Sequence, residues 1–349
     1  LRIAILGAGA IGFASAAYLM SRGHDVILWS PSGKSTSALR TEPLTCEGFL
    51  EGKFRPAIAG CATEAISGAQ ILFVALPANG HRMVYEHLAA AIAPRQVVVI
   101  NAHPALGGFH LASLLEASGK SNAIVAWGTT LLRARRGSGT SVRINTVRKR
   151  VDVATLPAGD EHAIALCRDA FGDHFEPRAD LLAISLSNLN PQSHLALALT
   201  NFTRMERAEA WGQGENLTPA VARLMEALDE ERLATAKALD VSVRTAAEHY
   251  HLTYGIPLAP LEAMAVQIRA KGQGQLGPTS EQSRYVLEDA PFGLYPLVRL
   301  GEVVGVDLKL HRAGLHLLSA LYDRDFAAEN DLVDDLDWNR LLRLRNPTT

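Results

Sequence analysis

At 349 residues the chain is too long for one ordinary core, and its length calls for two domains. Its 48% hydrophobic and 20% charged content is globular, and a formal charge of -2 leaves no basic footprint for nucleic acid. No apolar run approaches the roughly 18 residues of a membrane-spanning helix, and no signal-peptide core precedes the first strand. Cys46, Cys61 and Cys167 are too scattered for a disulfide framework or a metal site, so a reducing cytoplasm is the expected setting.

The first strand, Ile3 to Leu6, runs directly into Gly7-x-Gly9-x-x-Gly12. A helical pattern with small residues follows, Gly23 ends it, and a second apolar strand, "DVILW", completes a βαβ unit. In such a unit the first glycine permits the tight turn, the second lets backbone approach a pyrophosphate, and the third lets helix pack against strand. The helix start, at Ala10 and Ile11, then offers N–H groups and partial positive charge to the phosphates. An NAD site usually has Asp or Glu at the end of the second strand, facing the ribose hydroxyls. Here Ser30 is followed by "PSGKSTSALR", with no acid before Glu42. Ser30, Ser32, Lys34 and Arg40 can meet an extra phosphate, although Ser30 can equally bond an unphosphorylated ribose. NADP is the expected cofactor, with NAD as the alternative.

Next, "AQILFVALPANGH" reads as a buried strand ending in Pro77, in a loop suited to pass a nicotinamide. "QVVVINA" (96–102) and "NAIVAW" (122–127) read as further parallel strands. "SVRINTVRKRVDVATLP" alternates and carries Arg143, Arg148, Lys149 and Arg150, which predicts more exposed strands with a solvated charged face. Strand signals fade near Phe175.

After about residue 180 helical spacing takes over. Thr218 is the expected N-cap and Pro219 the first residue of a helix whose apolar positions Val221, Leu224, Met225, Leu228, Leu233 and Ala236 share one face. "LEAMAVQIRAKG", "VRLGEVVG" and "HRAGLHLLSALY" continue the pattern, and acidic "DRDFAAENDLVDDLDW" reads as a solvated peripheral helix. The fold class is therefore α/β plus all-α, with a Rossmann dinucleotide-binding domain over 1–178 and a helical substrate domain over 179–349. Such an architecture places the active site in the cleft between domains. A long helical domain often buries a dimer surface, so a homodimer is one candidate assembly.

The join carries "SNLNPQSH" (187–194), two asparagines, a proline and a histidine between apolar runs. Pro191 and the asparagines suit a helix start, which puts His194 in the first turns. A core histidine bonded to a backbone carbonyl is the plainer alternative. Farther on, Arg284, Glu288 and Asp289 precede the turn Ala290-Pro291-Phe292-Gly293. An aspartate bonded to one histidine nitrogen fixes its tautomer and stabilises its protonated form. The other nitrogen is then left to exchange a proton with a reacting carbonyl or amine. For Asp289 alone, a salt bridge or a helix cap serves equally well.

The "GAGAIG" start, "LSNLNPQSH" with "LTN" soon after, "LTPAVARLMEALDEER" and "RYVLEDAPFGLYPL" together resemble the opine dehydrogenases, the octopine/nopaline dehydrogenase family, from residue 1 to about 325. The resemblance implies a catalytic dyad at His194 and Asp289, and an arginine at Arg284 that contacts cofactor or substrate. It also implies the reaction. The amine of an amino acid and an α-keto acid, often pyruvate, form an imine that NAD(P)H reduces to a secondary amine dicarboxylate. Arg284 and Arg133 are candidates to hold the carboxylates, with Asn190 a further substrate contact. The chain departs from the family where many members carry an "ETQTLPYACR"-like strand end. Here "WGTTLLRARR" puts Trp127, Arg133 and Arg135 in place of glutamate, tyrosine and cysteine, in a segment expected to face the substrate. Two rival readings stand beside this one. One is a simple two-domain ketoacid or hydroxyacid reductase, ketopantoate-reductase-like, whose usual interdomain lysine has no counterpart between Lys149 and Lys237. The other is a non-catalytic NADP sensor.

Overall fold

The computed structural model describes residues 1–102, 105–270 and 276–345 (the last three by backbone alone). These residues form two compact units. The first runs from Leu1 to Ser185 and takes back the chain from Leu332 onward, whereas the second spans Leu186–Asp331. The join thus lies later than the 178/179 expected from sequence, and the tail belongs to the first unit. Burial explains the return of the tail. Leu332 and Val333 are fully buried, Asp335 pairs with Arg82 at 3.2 Å, and Arg340 pairs with Glu116. The acidic stretch before Trp338 is a chain of turns around buried Phe326, Leu332, Val333 and Leu336, not the solvated helix predicted.

Among the described residues the first unit has the strands β1 (Arg2–Leu6), β2 (Asp25–Trp29), β3 (Leu44–Gly48), β4 (Gly52–Phe54), β5 (Ala57–Ile58) and β6 (Ile71–Val74). They continue with β7 (Val97–Ile100), β8 (Ile124–Trp127), β9 (Leu132–Arg136), β10 (Ser141–Val147), β11 (Val151–Leu156) and β12 (Phe175–Pro177). The main sheet has the order β12-β11-β8-β7-β6-β1-β2-β5. Neighbours from β8 through β5 pair in parallel, and β11 closes antiparallel on β8. β6, β7 and β8 are buried at every position, as a sheet covered on both faces requires. Register sets the functional edge. Leu6 lies opposite both Trp29 and Val74, so β1, β2 and β6 end level and release their loops together. That is where an open parallel sheet binds a ligand.

A second sheet, β4-β3-β10-β9, was not apparent from sequence. Its inward residues Leu44, Cys46, Leu132, Val142 and Ile144 share one core cluster with Phe13, Ala16 and Ala17 of the helix Ala10–Ser21. "SVRINTVRKRVDVATLP" therefore divides. Its first half is the half-exposed β10, and its second half is β11, largely buried in the main sheet rather than exposed.

The second unit is helical: Asn190–Glu206, Pro219–Ala238, Ala246–Tyr254, Leu261–Ala270, Tyr295–Val303 and Lys309–Tyr322 are its longer helices. Thr218 caps the second of these, accepting from the Val221 N–H at 3.4 Å. Buried Arg232 bonds Asp229 at 2.8 Å and the carbonyls of Leu186 and Arg244 at 2.5 and 2.6 Å. Asp229 in turn accepts from the Ala246 N–H at 2.7 Å. The pair is satisfied on every side, the condition under which a buried charge is tolerated. No helix among the described residues is long and apolar enough to cross a membrane.

Glu231 ties two helices. Its carboxylate accepts from the Leu310 and His311 N–H groups at 2.8 and 3.1 Å and bonds the His311 Nδ1 at 2.7 Å. Burial alone would raise its pKa, but the His311 side chain and the two backbone donors outweigh burial and hold it below the ordinary value. A depressed folded-state pKa stabilises the fold above the unfolded value, about 4.3, and loses that stabilisation as pH falls through the folded value. Glu231→Gln is therefore expected to cost roughly 1–2 kcal/mol at pH 7, with the difference from wild type narrowing as pH falls below about 4.3. Urea unfolding at pH 7 and near pH 3.5 checks both halves.

Candidate active site

Gly7 has φ +125, and a methyl there would stand 2.6 Å from the Ala75 carbonyl oxygen. The glycine turn thereby presses against the loop that carries Pro77. A methyl at Gly12 would overlap the Gly7 carbonyl, so the helix Ala10–Ser21 sits directly on the turn. Gly9 differs, since nothing lies within 4 Å of the place its Cβ would occupy. The helix start at Ala10 and Ile11 has no side-chain cap and no acid in its first turn. Open space before uncapped N–H groups fits a pyrophosphate. Beyond β2, Ser30 is largely buried and accepts the Gly33 N–H at its carbonyl, at 3.0 Å. Ser32 and Lys34 are exposed in the turn that follows. Among the described residues, no acid occupies that turn.

One residue of this cradle escaped the sequence reading. Arg136, at the end of β9, lies 3.6 Å above the Phe13 ring and donates to the Ala8 carbonyl at 3.2 Å. Residues so far apart in sequence meet only because the second sheet covers the helix, and that sheet left no clear sequence signal. Arg133, on the same strand, is exposed and close enough to Arg148 for the two charges to act on each other. Trp127 corrects an expectation. It is fully buried, packed against Phe73, Phe171 and Phe175, and does not face a substrate. As the last residue of a strand covered on both faces, it points into the core.

In the second unit "SNLNPQSH" is a helix start. The Asn190 N–H donates to the Asn188 side chain at 3.1 Å, and Pro191 sits in the first turn, where its missing N–H costs nothing. One turn after Asn190, His194 meets Asp289 at 2.5 Å between Nδ1 and Oδ2, both side chains about one-fifth exposed. Among the described residues His194 bonds no backbone carbonyl, and Asp289 makes no capping bond to the π-helical turn Ala290–Leu294 that follows it. Arg284 pairs with Glu288, which leaves Asp289 to the imidazole. Tyr285 stacks on the imidazole, ring centroids 3.6 Å apart and planes 14° apart.

Close approach makes this meeting possible. A methyl at Gly293 would come within 2.9 Å of the Pro191 Cβ, so the turn after Asp289 lies directly on the start of the His194 helix. One turn further along that helix, Gly314 leaves no room for a methyl beside Leu195. The "LTN" of the sequence is a kink. Asn201 leaves helical geometry and its side chain donates to the Leu197 carbonyl at 3.0 Å. Among the described residues no group of His, Cys, Asp and Glu could hold a metal ion. The site offers a histidine oriented by a carboxylate, with no partner at Nε2 among the described residues, which suits proton exchange.

Residues 177–322 match the α-helical domain of NAD/NADP octopine/nopaline dehydrogenase, and residues 2–120 match the N-terminus of NAD-dependent glycerol-3-phosphate dehydrogenase. An opine dehydrogenase of Arthrobacter sp. (strain 1C) is 30% identical over 95% of this chain and 94% of its own length. Octopine dehydrogenase with NADH and L-arginine superposes with a TM-score of 0.78 at 17% identity, covering 93% of this chain and 90% of that one. Yersinopine dehydrogenase with NADP+ gives 0.76 at 18%, covering 99% and 97%. The α/β-plus-helical fold is thereby common to this chain and both solved structures, and the chain belongs to the opine dehydrogenase family of NAD(P)-dependent oxidoreductases.

Proposed function

We propose that the chain is an NADPH-dependent opine dehydrogenase, acting in a reducing cytoplasm, that joins the amine of an amino acid to an α-keto acid, with His194 and Asp289 as its acid–base pair. The observation that carries this reading is the 2.5 Å contact of Nδ1 with Oδ2. In the overall reaction the keto carbonyl and the amine lose water to give an imine. Reduction then adds a hydride at carbon and a proton at nitrogen, leaving a secondary amine between two carboxylates. The bound dinucleotide supplies the hydride. His194 handles the protons: its Nε2 relays the two amine protons in turn to the oxygen that departs as water, and passes on from solvent the proton that reduction adds at nitrogen. Asp289 stabilises the imidazolium formed in between. Arg284, with its side chain 80% exposed, and the exposed Arg133 and Asn190 are the substrate contacts in this reading. The preference for NADPH rests on the absence of an acid after β2 and on exposed Ser32 and Lys34, whose cation suits a 2′-phosphate.

NADPH oxidation with pyruvate, measured with and without a mixture of L-amino acids, is expected to require the amine. Turnover without amine would select a simple ketoreductase, and tight NADPH binding without turnover a sensor. His194→Ala should lower turnover by roughly 10²–10⁴-fold while the dissociation constant for NADPH stays nearly unchanged. Asp289→Asn keeps the shape but removes the charge, and should lower kcat/KM with the fold intact by circular dichroism. Survival of either variant within a few-fold would make that residue structural. For the cofactor, NADPH should bind more tightly than NADH, and Lys34→Ala should weaken NADPH selectively. Tenfold tighter binding of NADH, about 1.4 kcal/mol, would reverse the assignment.

A further inference from the structure

The hydrogen bond from Asp289 fixes one atom of His194 and no more. With Nδ1 held at 2.5 Å from Oδ2, the imidazole can still swing about that contact, carrying Nε2 with it. Proton transfer needs Nε2 within hydrogen-bond reach of the reacting group, and a misplacement of about 1 Å can cost 10²-fold. A second constraint is required, and it must act on the ring plane.

Tyr285 supplies a flat surface parallel to the imidazole, 3.6 Å away and tilted by 14°. The tyrosine is itself held at both ends. Its N–H donates to the Ser283 hydroxyl at 3.2 Å, and its phenol oxygen accepts from the Gln213 side-chain amide. Gln213 also donates to the Leu276 carbonyl at 3.3 Å. The ring plane is therefore set from two separate segments. Burial is the main cause that raises the Tyr285 pKa. The Gln213 bond opposes it and the Asp289 carboxylate adds to it, so the phenol stays neutral at working pH. A neutral aromatic face attracts a cation laid against it, as the imidazole becomes when it takes up a proton in the proposed reaction.

We propose that Tyr285 is a positioning residue of the reaction, whose ring fixes the plane of His194 and stabilises its protonated form during the proton transfers. The inference rests on the acid–base reading of His194. Asp289 sets the tautomer, Tyr285 sets the direction of Nε2, and Gln213 keeps Tyr285 in place.

The test compares Tyr285→Leu, Tyr285→Phe and His194→Ala, using NADPH, pyruvate and the best amino acid from the amine screen. Tyr285→Leu should lower kcat by 10- to 100-fold, with KM for NADPH and pyruvate within about threefold of wild type. Tyr285→Phe keeps the stack but loses the hold of Gln213 on the hydroxyl, and should give a kcat between those of wild type and Tyr285→Leu. A merely structural tyrosine would move the KM values and the unfolding midpoint with kcat. A kcat for Tyr285→Leu within threefold of wild type would overturn the proposal, as would Tyr285→Phe falling as far as Tyr285→Leu. Should the leucine variant fail to fold, the wild-type protein still decides. The His194 Cε1–H proton should resonate upfield of exposed histidines, shifted by the ring current of Tyr285, and a signal at the ordinary position would overturn the stack. If His194→Ala itself retains turnover, the acid–base reading fails first, independently of Tyr285.

Discussion

The bond between His194 and Asp289 joins residues 95 positions apart, and the second unit depends on the contact that lets it form. Neither side chain is long. The turn after Asp289 must lie against the start of the His194 helix, and it does so through Gly293 on Pro191. Two residues with complementary backbone roles meet there. Pro191 needs no hydrogen bond in a first turn, and Gly293 has no Cβ to hold the turn away. Gly314 performs the same service beside Leu195, so the helix is set at two successive turns by glycines that admit close packing. Interiors packed at crystal-like density transmit such contacts as fixed distances.

The first unit solves a related problem with backbone alone. Level ends of β1, β2 and β6 bring the glycine turn, Ser30 and the Pro77 loop to one edge. The small sheet then covers the helix that starts in that turn and brings Arg136 onto Phe13 and Ala8. A cation laid on the outer side of the turn braces its carbonyl side while the N–H groups at the helix start stay open. The turn is thus braced by one strand far along the chain.

What was legible in the sequence follows from which forces are local. The βαβ unit, the Thr218 cap and the long helices depend on spacing of a few residues, and each appears where its pattern lies. The pairing of His194 with Asp289 was legible only through two motifs read together, because no spacing rule connects positions so distant. The second sheet was hidden because β3, β4 and β9 are short and half exposed, with little alternation to mark them. Trp127 was misplaced because burial of a strand end depends on what packs above it, here Phe171 and Phe175. The tail was misread as a solvated helix because its charges outnumber the few buried side chains that decide its course. Tyr285 passed unnoticed as one more aromatic residue beside a turn.

In the proposed reaction a histidine suits the chemistry better than a lysine, and the reason is physical. Reducing a ketone asks the protein mainly to donate a proton to an alkoxide, a task a lysine ammonium can meet. Condensing an amine with a ketone asks for more, since the attacking nitrogen must lose a proton and the departing oxygen must gain one. Both transfers belong to one turnover near neutral pH, so a single group must serve as base and then as acid. Histidine is the side chain whose ordinary titration range allows both. Its usefulness rises when a carboxylate selects the tautomer, and Asp289 can do so because Arg284 occupies Glu288 next to it. Two unpaired carboxylates side by side would repel each other and compete for the imidazole. Glu288 pairs with Arg284 and Asp289 with His194, and that division leaves the imidazole anchored at one nitrogen.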